Sequence, residues 1–160
     1  EALAMLDRLA GRVPDPRLRL RAGPPSVLWR YRTVDHSLRR AGRATAQARE
    51  LGASLVVAAN TDASVKRLGK GDDRPLNTLN DRMAVLAALE SVSLVVEFDE
   101  DTALETVLEA RPEIYAKGGD YEMSAIPEGQ AVIAYGGQAV AIDFEHDRST
   151  TKLLTKVRAG

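Results

Sequence analysis

Four short apolar runs, at residues 54–59, 94–98, 114–117 and 139–144, recur along the chain with room for a helix in each connection. A strand covered by helices on both faces reads as a continuous apolar run, whereas a half-exposed strand alternates. Helical periodicity appears at residues 78–90, 102–110 and 150–157, with a shorter segment at 63–68. Arg111-Pro112 closes the second of these helices, since proline cannot continue one. Alternation of this kind predicts an α/β fold: a parallel sheet with helices on both faces, binding ligands beyond the carboxyl ends of its strands.

The chain has 160 residues, 44% of them hydrophobic, which is enough for one domain with a buried core. A net charge of −1 gives no reason to expect nucleic acid or an acidic membrane as a partner. The absence of cysteine excludes disulfides and thiolate metal sites. No apolar run approaches the roughly 20 residues needed to cross a bilayer. The opening Glu1-Ala-Leu-Ala-Met-Leu-Asp-Arg8 lacks the basic start and long apolar stretch of a signal peptide, so a cytoplasmic location is expected. Residues 3–9 read as a short helix and Gly23-Pro24-Pro25 as a linker. The expected organisation is thus an N-terminal helix and linker over 1–23, followed by one domain over 24–160.

Two turns carry candidate chemistry. Glu145-His-Asp-Arg148 leads from the last strand into Ser149-Thr150-Thr151-Lys152, a helix start with three hydroxyls and a lysine. Unpaired N–H groups and the positive dipole end make such a start a phosphate site, although Ser149 would serve equally as an ordinary cap. After residues 114–117 comes Gly118-Gly119-Asp120-Tyr121, where glycines admit close backbone approach and Asp120 can hold a ribose or base edge. The same residues also make an ordinary surface turn.

In chain order these turns keep company with Asn60-Thr61-Asp62, Leu68-Gly-Lys-Gly-Asp-Asp-Arg-Pro75, Asn80-Asp-Arg-Met-Ala-Val-Leu-Ala-Ala-Leu89 and Val95-Val-Glu-Phe-Asp-Glu-Asp101. From about Ala46 to Arg158 the chain closely resembles the cytidylyltransferase-like nucleotidyltransferases, in particular the domain that attaches a nucleotide to heptose 1-phosphate. The resemblance implies a Rossmann-like nucleotidyltransferase fold over 24–160. It also implies transfer of a nucleotide from ATP to a sugar 1-phosphate with release of pyrophosphate, Mg²⁺ arriving with the triphosphate, and a homodimer.

The resemblance assigns roles to particular positions. Lys70 matches the family lysine that reaches phosphate at the reacting centre, and Asp62 the aspartate that faces the acceptor. Gly118, Gly119, Asp120 and Tyr121 would bind the nucleotide, with Ser149 and Thr150 on its phosphates. No metal-binding residue is implied, and the acidic run Glu97-Phe98-Asp99-Glu100-Asp101 suits the positive end of a helix beginning at Thr102. Asp62 also has a plainer reading as the cap of residues 63–68. Arg82 fits an ion pair with a neighbouring carboxylate as well as it fits a substrate contact.

The front of the chain departs from the family pattern over residues 24–45. Counting back from Gln47-Ala-Arg-Glu-Leu-Gly52, the end of the family's first helix, places the expected His-x-Gly-His motif on Leu38-Arg39-Arg40-Ala41. The only histidines are His36 and His146, which cannot form it in any register. Up to Arg49 there are eleven arginines and no lysine, against six arginines and five lysines thereafter. Three origins compete: a site lost in a degenerate paralogue, a binding protein that kept the fold, and a segment outside the native reading frame. The resemblance implies that residues 27–31 are the first strand, although Arg30 and Arg32 make them a poor central one.

Overall fold

A computed structural model of the chain describes residues 26–31, 38–68 and 75–142. Five strands form one sheet: β1 (Ser26–Tyr31), β2 (Ser54–Asn60), β3 (Leu94–Phe98), β4 (Ile114–Gly118) and β5 (Gln138–Ile142). Their spatial order is β3-β2-β1-β4-β5, and every neighbouring pair is parallel. Five α-helices are described: α1 (Leu38–Glu50), α2 (Asp62–Arg67), α3 (Leu79–Ala87), α4 (Leu104–Ala110) and α5 (Pro127–Ala134). Three of the four apolar runs are strands for the expected reason, while the fourth, β5, is an edge strand whose described residues are mostly exposed or half-buried. Every residue of β2 is buried, because helices cover it on both sides.

On one face, α1 lays Ala41, Ala44, Thr45 and Ala48 against the sheet, the i, i+3, i+4, i+7 spacing of a helix side. Small side chains there let the helix approach closely, and Met83 and Leu86 of α3 complete the layer with Val27, Leu55 and Val57. On the other face, Val107 and Ala110 of α4 and Val132 of α5 pack with Leu28, Val56, Phe98 and Tyr115. Helices on both faces of a parallel sheet are what the alternation of segments predicts.

The first strand corrects an expectation. Residues 27–31 were expected to make a poor central strand, yet β1 is the middle one, paired with β2 and with β4. Val27 and Leu28 are fully buried at its centre. Arg30, near the carboxyl end of the strand, pairs in backbone register with Ala58 and Lys117. Arg32 lies outside the described residues, as do the helix expected at 3–9, the linker at 23–25 and the helix expected at 150–157.

Helix boundaries follow local chemistry. Thr78 caps α3 by accepting from the Asp81 N–H at 3.3 Å. Arg111, in the left-handed region at φ 47°, ends α4 by donating its N–H to the Val107 carbonyl at 2.8 Å, and Pro112 follows. The Arg111 guanidinium lies over the Tyr135 ring, 5.0 Å from its centroid, while the Tyr135 hydroxyl donates to the Pro112 carbonyl at 2.8 Å. α5 lies outside the segments expected to be helical. It opens with Pro127 at its first turn, as proline favours, and Gly129 lets it press against the turn at Met123–Ala125.

Candidate functional site at the carboxyl edge of the sheet

All five strands point the same way, so Tyr31, Asn60, Phe98, Gly118 and Ile142 end on one edge. From β1 the chain order runs outward to β2 and β3 on one side, and β4 and β5 lie on the other. Connections that diverge in this way leave a crevice beyond the central strand, where α/β sheets bind ligands. The loops following β2 and β4 flank it, about 10 Å apart across two strand spacings.

After β2, Thr61 caps α2 by accepting from the Ser64 N–H at 3.1 Å and donates its hydroxyl to Asp99. The plainer reading of Asp62 as the cap is therefore corrected. Asp62 is the first residue of the helix proper, with its carboxylate directed elsewhere. Its Oδ1 accepts from Arg82 Nη2 at 2.6 Å, and the same Nη2 donates to the Asn60 carbonyl at 2.8 Å. Arg82 Nε reaches the Asn77 carbonyl at 3.2 Å. The guanidinium is 1% exposed, against 40% for the Asp62 side chain. Of the two readings of Arg82, the ion pair with a carboxylate is present, and its partner is Asp62. Arg82 was not among the expected site residues; its place in a helix pattern carries no sign of a bond 20 residues back along the chain.

Asn60, the last residue of β2, is fully buried. Its Nδ2 donates to Ser64 Oγ at 2.8 Å, Ser64 Oγ donates to the Glu100 carbonyl at 2.8 Å, and Asn60 Oδ1 has no partner. This chain of bonds fixes the loops after β2 and β3 to each other.

After β4, Gly119 has φ 123° and donates its N–H to the Ile142 carbonyl at 3.0 Å. That amide is committed to β5, so close ligand contact from this turn falls to the amides beyond it. Glycine suits this positive φ, and a Cβ on Gly119 would also stand 2.8 Å from Tyr121 Cε2. The Tyr121 ring also covers Lys117, whose Nζ lies 4.3 Å from the ring centroid. Lys117 was not singled out as a site residue, though its position at the end of a strand, just before two glycines, signals the edge. Asp120 is exposed on the same turn. Glu122 then caps the next turn, and its bonds from the Ser124 hydroxyl and N–H hold its carboxyl below the usual range.

Asp99 and Asp101 of the acidic run bond the helix after β2. Asp99 takes bonds from Thr61 and Arg67, and Asp101 accepts from Arg67 Nε at 2.9 Å. Bonds to both aspartates hold the exposed Arg67 guanidinium above its usual pKa. At the start of α4, buried Glu128 accepts from the Ala103 N–H at 3.3 Å. Among the described residues no group of three or more His, Asp or Glu stands together as a metal cage, and no helix is long and apolar enough to cross a membrane.

Of the residues expected at the site, Asp62, Gly118, Gly119, Asp120 and Tyr121 come to this one edge. Lys70, Ser149 and Thr150 lie outside the described residues, as do both histidines. Ala41, the position that gapless counting gives to the motif's second histidine, is fully buried in the core against the sheet. That register thus assigns a core position, not one facing the crevice.

A cytidylyltransferase-like family model matches residues 42–155. The chain is 58% identical over 114 residues to a D-beta-D-heptose 1-phosphate adenylyltransferase of Bordetella bronchiseptica, covering 71% of this chain and 70% of that protein. It is 51% identical over 113 residues to the bifunctional protein HldE of Actinobacillus pleuropneumoniae, covering 71% of this chain but 24% of the larger protein. Among solved structures, a lipopolysaccharide core biosynthesis protein of Thermoplasma volcanium aligns with TM-score 0.61 at 21% identity, over 79% of this chain and 100% of that one. That likeness bears on the fold.

Proposed function

Since the chain belongs to the cytidylyltransferase-like family, we propose that it is an adenylyltransferase acting on heptose 1-phosphate. The reaction transfers the adenylyl group of ATP to the sugar phosphate and releases pyrophosphate. The product is ADP-heptose for lipopolysaccharide or a related glycan. The observation that carries this reading is the pairing of two unlike loops across β1. One presents a carboxylate backed by a buried cation, and the other a double-glycine turn beside an aromatic ring and a lysine.

A phosphate oxygen of the acceptor attacks the α-phosphorus in line; the new P–O bond forms as the bond to the bridging oxygen of pyrophosphate breaks. Little covalent chemistry falls to the protein, which has to orient two anions and offset the charge that develops. The loop after β4 suits the nucleoside: Asp120 is exposed for a ribose hydroxyl, and Tyr121 offers a face to the base. Lys70, Ser149 and Thr150 are the groups for the phosphates, with Lys70 at the reacting centre, a role that rests on the family resemblance. Asp62 takes the acceptor. Mg²⁺ comes with the triphosphate and takes its ligands chiefly from phosphate oxygens. A homodimer in the cytoplasm, with no nucleic-acid or membrane partner, completes the proposal.

Pyrophosphate release with ATP and heptose 1-phosphate is the test, run beside an ATP binding titration and with CTP in place of ATP. Release that needs both substrates supports the reading, as does a Lys70→Ala variant slowed by about 10²–10³-fold. A second reading, a nucleotide-binding protein with impaired catalysis, is favoured by the missing His-x-Gly-His motif. It predicts ATP binding with little or no release.

A further inference from the structure

The Arg82–Asp62 pair is asymmetric. Its cation is 1% exposed, whereas its anion is 40% exposed at the crevice. Two neutral carbonyls, Asn60 at the end of β2 and Asn77 just before α3, fix the plane of the guanidinium. The third bond, to Asp62 Oδ1 at 2.6 Å, is the charge-assisted one. A buried guanidinium without an anion is strongly disfavoured, so the aspartate is held in one orientation and cannot swing freely at the edge.

We propose that Arg82 is a positioning residue for acceptor binding. Through Oδ1 it fixes the Asp62 carboxylate so that Oδ2 stands ready to accept a hydroxyl of the sugar phosphate. This rests on the reading that Asp62 faces the acceptor, and it supplies what that reading lacks: how a carboxylate works beside two phosphorylated substrates. A lone carboxylate would repel them. Backed by a buried cation, the pair is close to neutral toward phosphate while still presenting a fixed oxygen to a neutral O–H. It therefore selects a hydroxylated acceptor and leaves the acceptor's phosphate to cations elsewhere.

The test is a binding titration of the full chain with heptose 1-phosphate and, separately, with ATP and Mg²⁺. Asp62→Asn and Arg82→Lys are each expected to weaken the sugar phosphate about tenfold to a hundredfold, the loss of one hydrogen bond to a charged group. ATP affinity stays within about twofold, and the double variant binds the sugar phosphate no more weakly than Asp62→Asn alone, because Arg82 acts through Asp62. Effects that multiply in the double variant would show Arg82 touching substrate itself and overturn the proposal. So would a folded Arg82→Lys protein with unchanged sugar-phosphate affinity.

Should Arg82→Lys fail to fold, Asp62→Glu decides, since it keeps the charge and moves the carboxylate by one methylene. Loss of acceptor affinity supports positioning, and wild-type affinity refutes it. A wild-type protein that binds ATP but no sugar phosphate would sink the acceptor reading first and the inference with it. That outcome is visible before any variant is made.

Discussion

At Gly119 a single hydrogen in place of a methyl group shapes the whole turn after β4. Alanine there would have to hold φ near 123° and push aside the Tyr121 ring, from which its Cβ would be 2.8 Å. Gly119→Ala is expected to lower stability by about 1–3 kcal/mol. Measured ATP affinity should fall with it, because the ring and the lysine beneath it move together. Gly129→Ala should destabilise further in a thermal melt: its Cβ would lie 1.9 Å from the Met123 carbonyl oxygen, which is backbone and cannot rotate away. Tyr135 offers a pH readout. Burial is the main cause that pushes its hydroxyl up to about 12; Glu113 pushes in the same direction and Arg111 opposes them. The folded pKa lies above the unfolded value of about 10, so the unfolded chain loses this proton first. The stability tied to Tyr135 is therefore complete below pH 10 and lost as pH rises toward 12. Absorbance titration of tyrosinate, wild type against Tyr135→Phe, should show the late-titrating step vanish in the variant.

Among the elements, the caps were not read correctly from sequence: Asp62 was the candidate cap where Thr61 serves, and Thr78 was placed inside its helix. Thr61 and Thr78 each begin a helix by accepting from an N–H three residues on, and Thr78→Ala is expected to cost about 0.5–2 kcal/mol in a denaturant melt. β2, β3 and β4 were legible because a strand buried on both faces has one signature, an unbroken apolar run. α4 was legible through Arg111-Pro112, although it begins two residues later than its pattern suggested, at Leu104. α5 was not. Its buried residues include Glu128 and Gly129, which no hydrophobic period marks, and they are buried because one caps α4 and the other meets a carbonyl. For β1 the resemblance gave the strand while its arginines argued against a central place, because propensity counts charges without the backbone pairing that sets the strand between β2 and β4. At the site, the glycine turn announced itself by composition. The Asp62–Arg82 pair could not, because a strand end and a helix far apart in sequence meet only once the sheet has formed.

On the scale of the whole molecule, β1 joins two halves that would otherwise share no strand. Leu28 is fully buried at its centre among Val56, Tyr115 and the helices of one face. Leu28→Ala is expected to cost about 2–5 kcal/mol, lost in one cooperative transition and not as fraying of one edge. The crevice beyond β1 has the same consequence for ligand binding. On the proposed reading, a nucleotide held by the loop after β4 and an acceptor held by the loop after β2 would engage opposite halves, and each would stabilise the sheet as a unit. Anything that binds only the folded state raises stability by RT ln(1 + [L]/Kd), about 2.7 kcal/mol at a hundredfold excess over Kd. For a chain of this size that amounts to a rise in Tm of roughly 5–10 °C with ATP and Mg²⁺. If the nucleotide rests on the glycine turn, Gly119→Ala should shrink that rise at fixed ATP while Asp62→Asn leaves it intact. With heptose 1-phosphate in place of ATP the ranking should reverse. A chain whose Tm ignores ATP in every variant would bind no nucleotide at this edge, and the adenylyltransferase reading would fall.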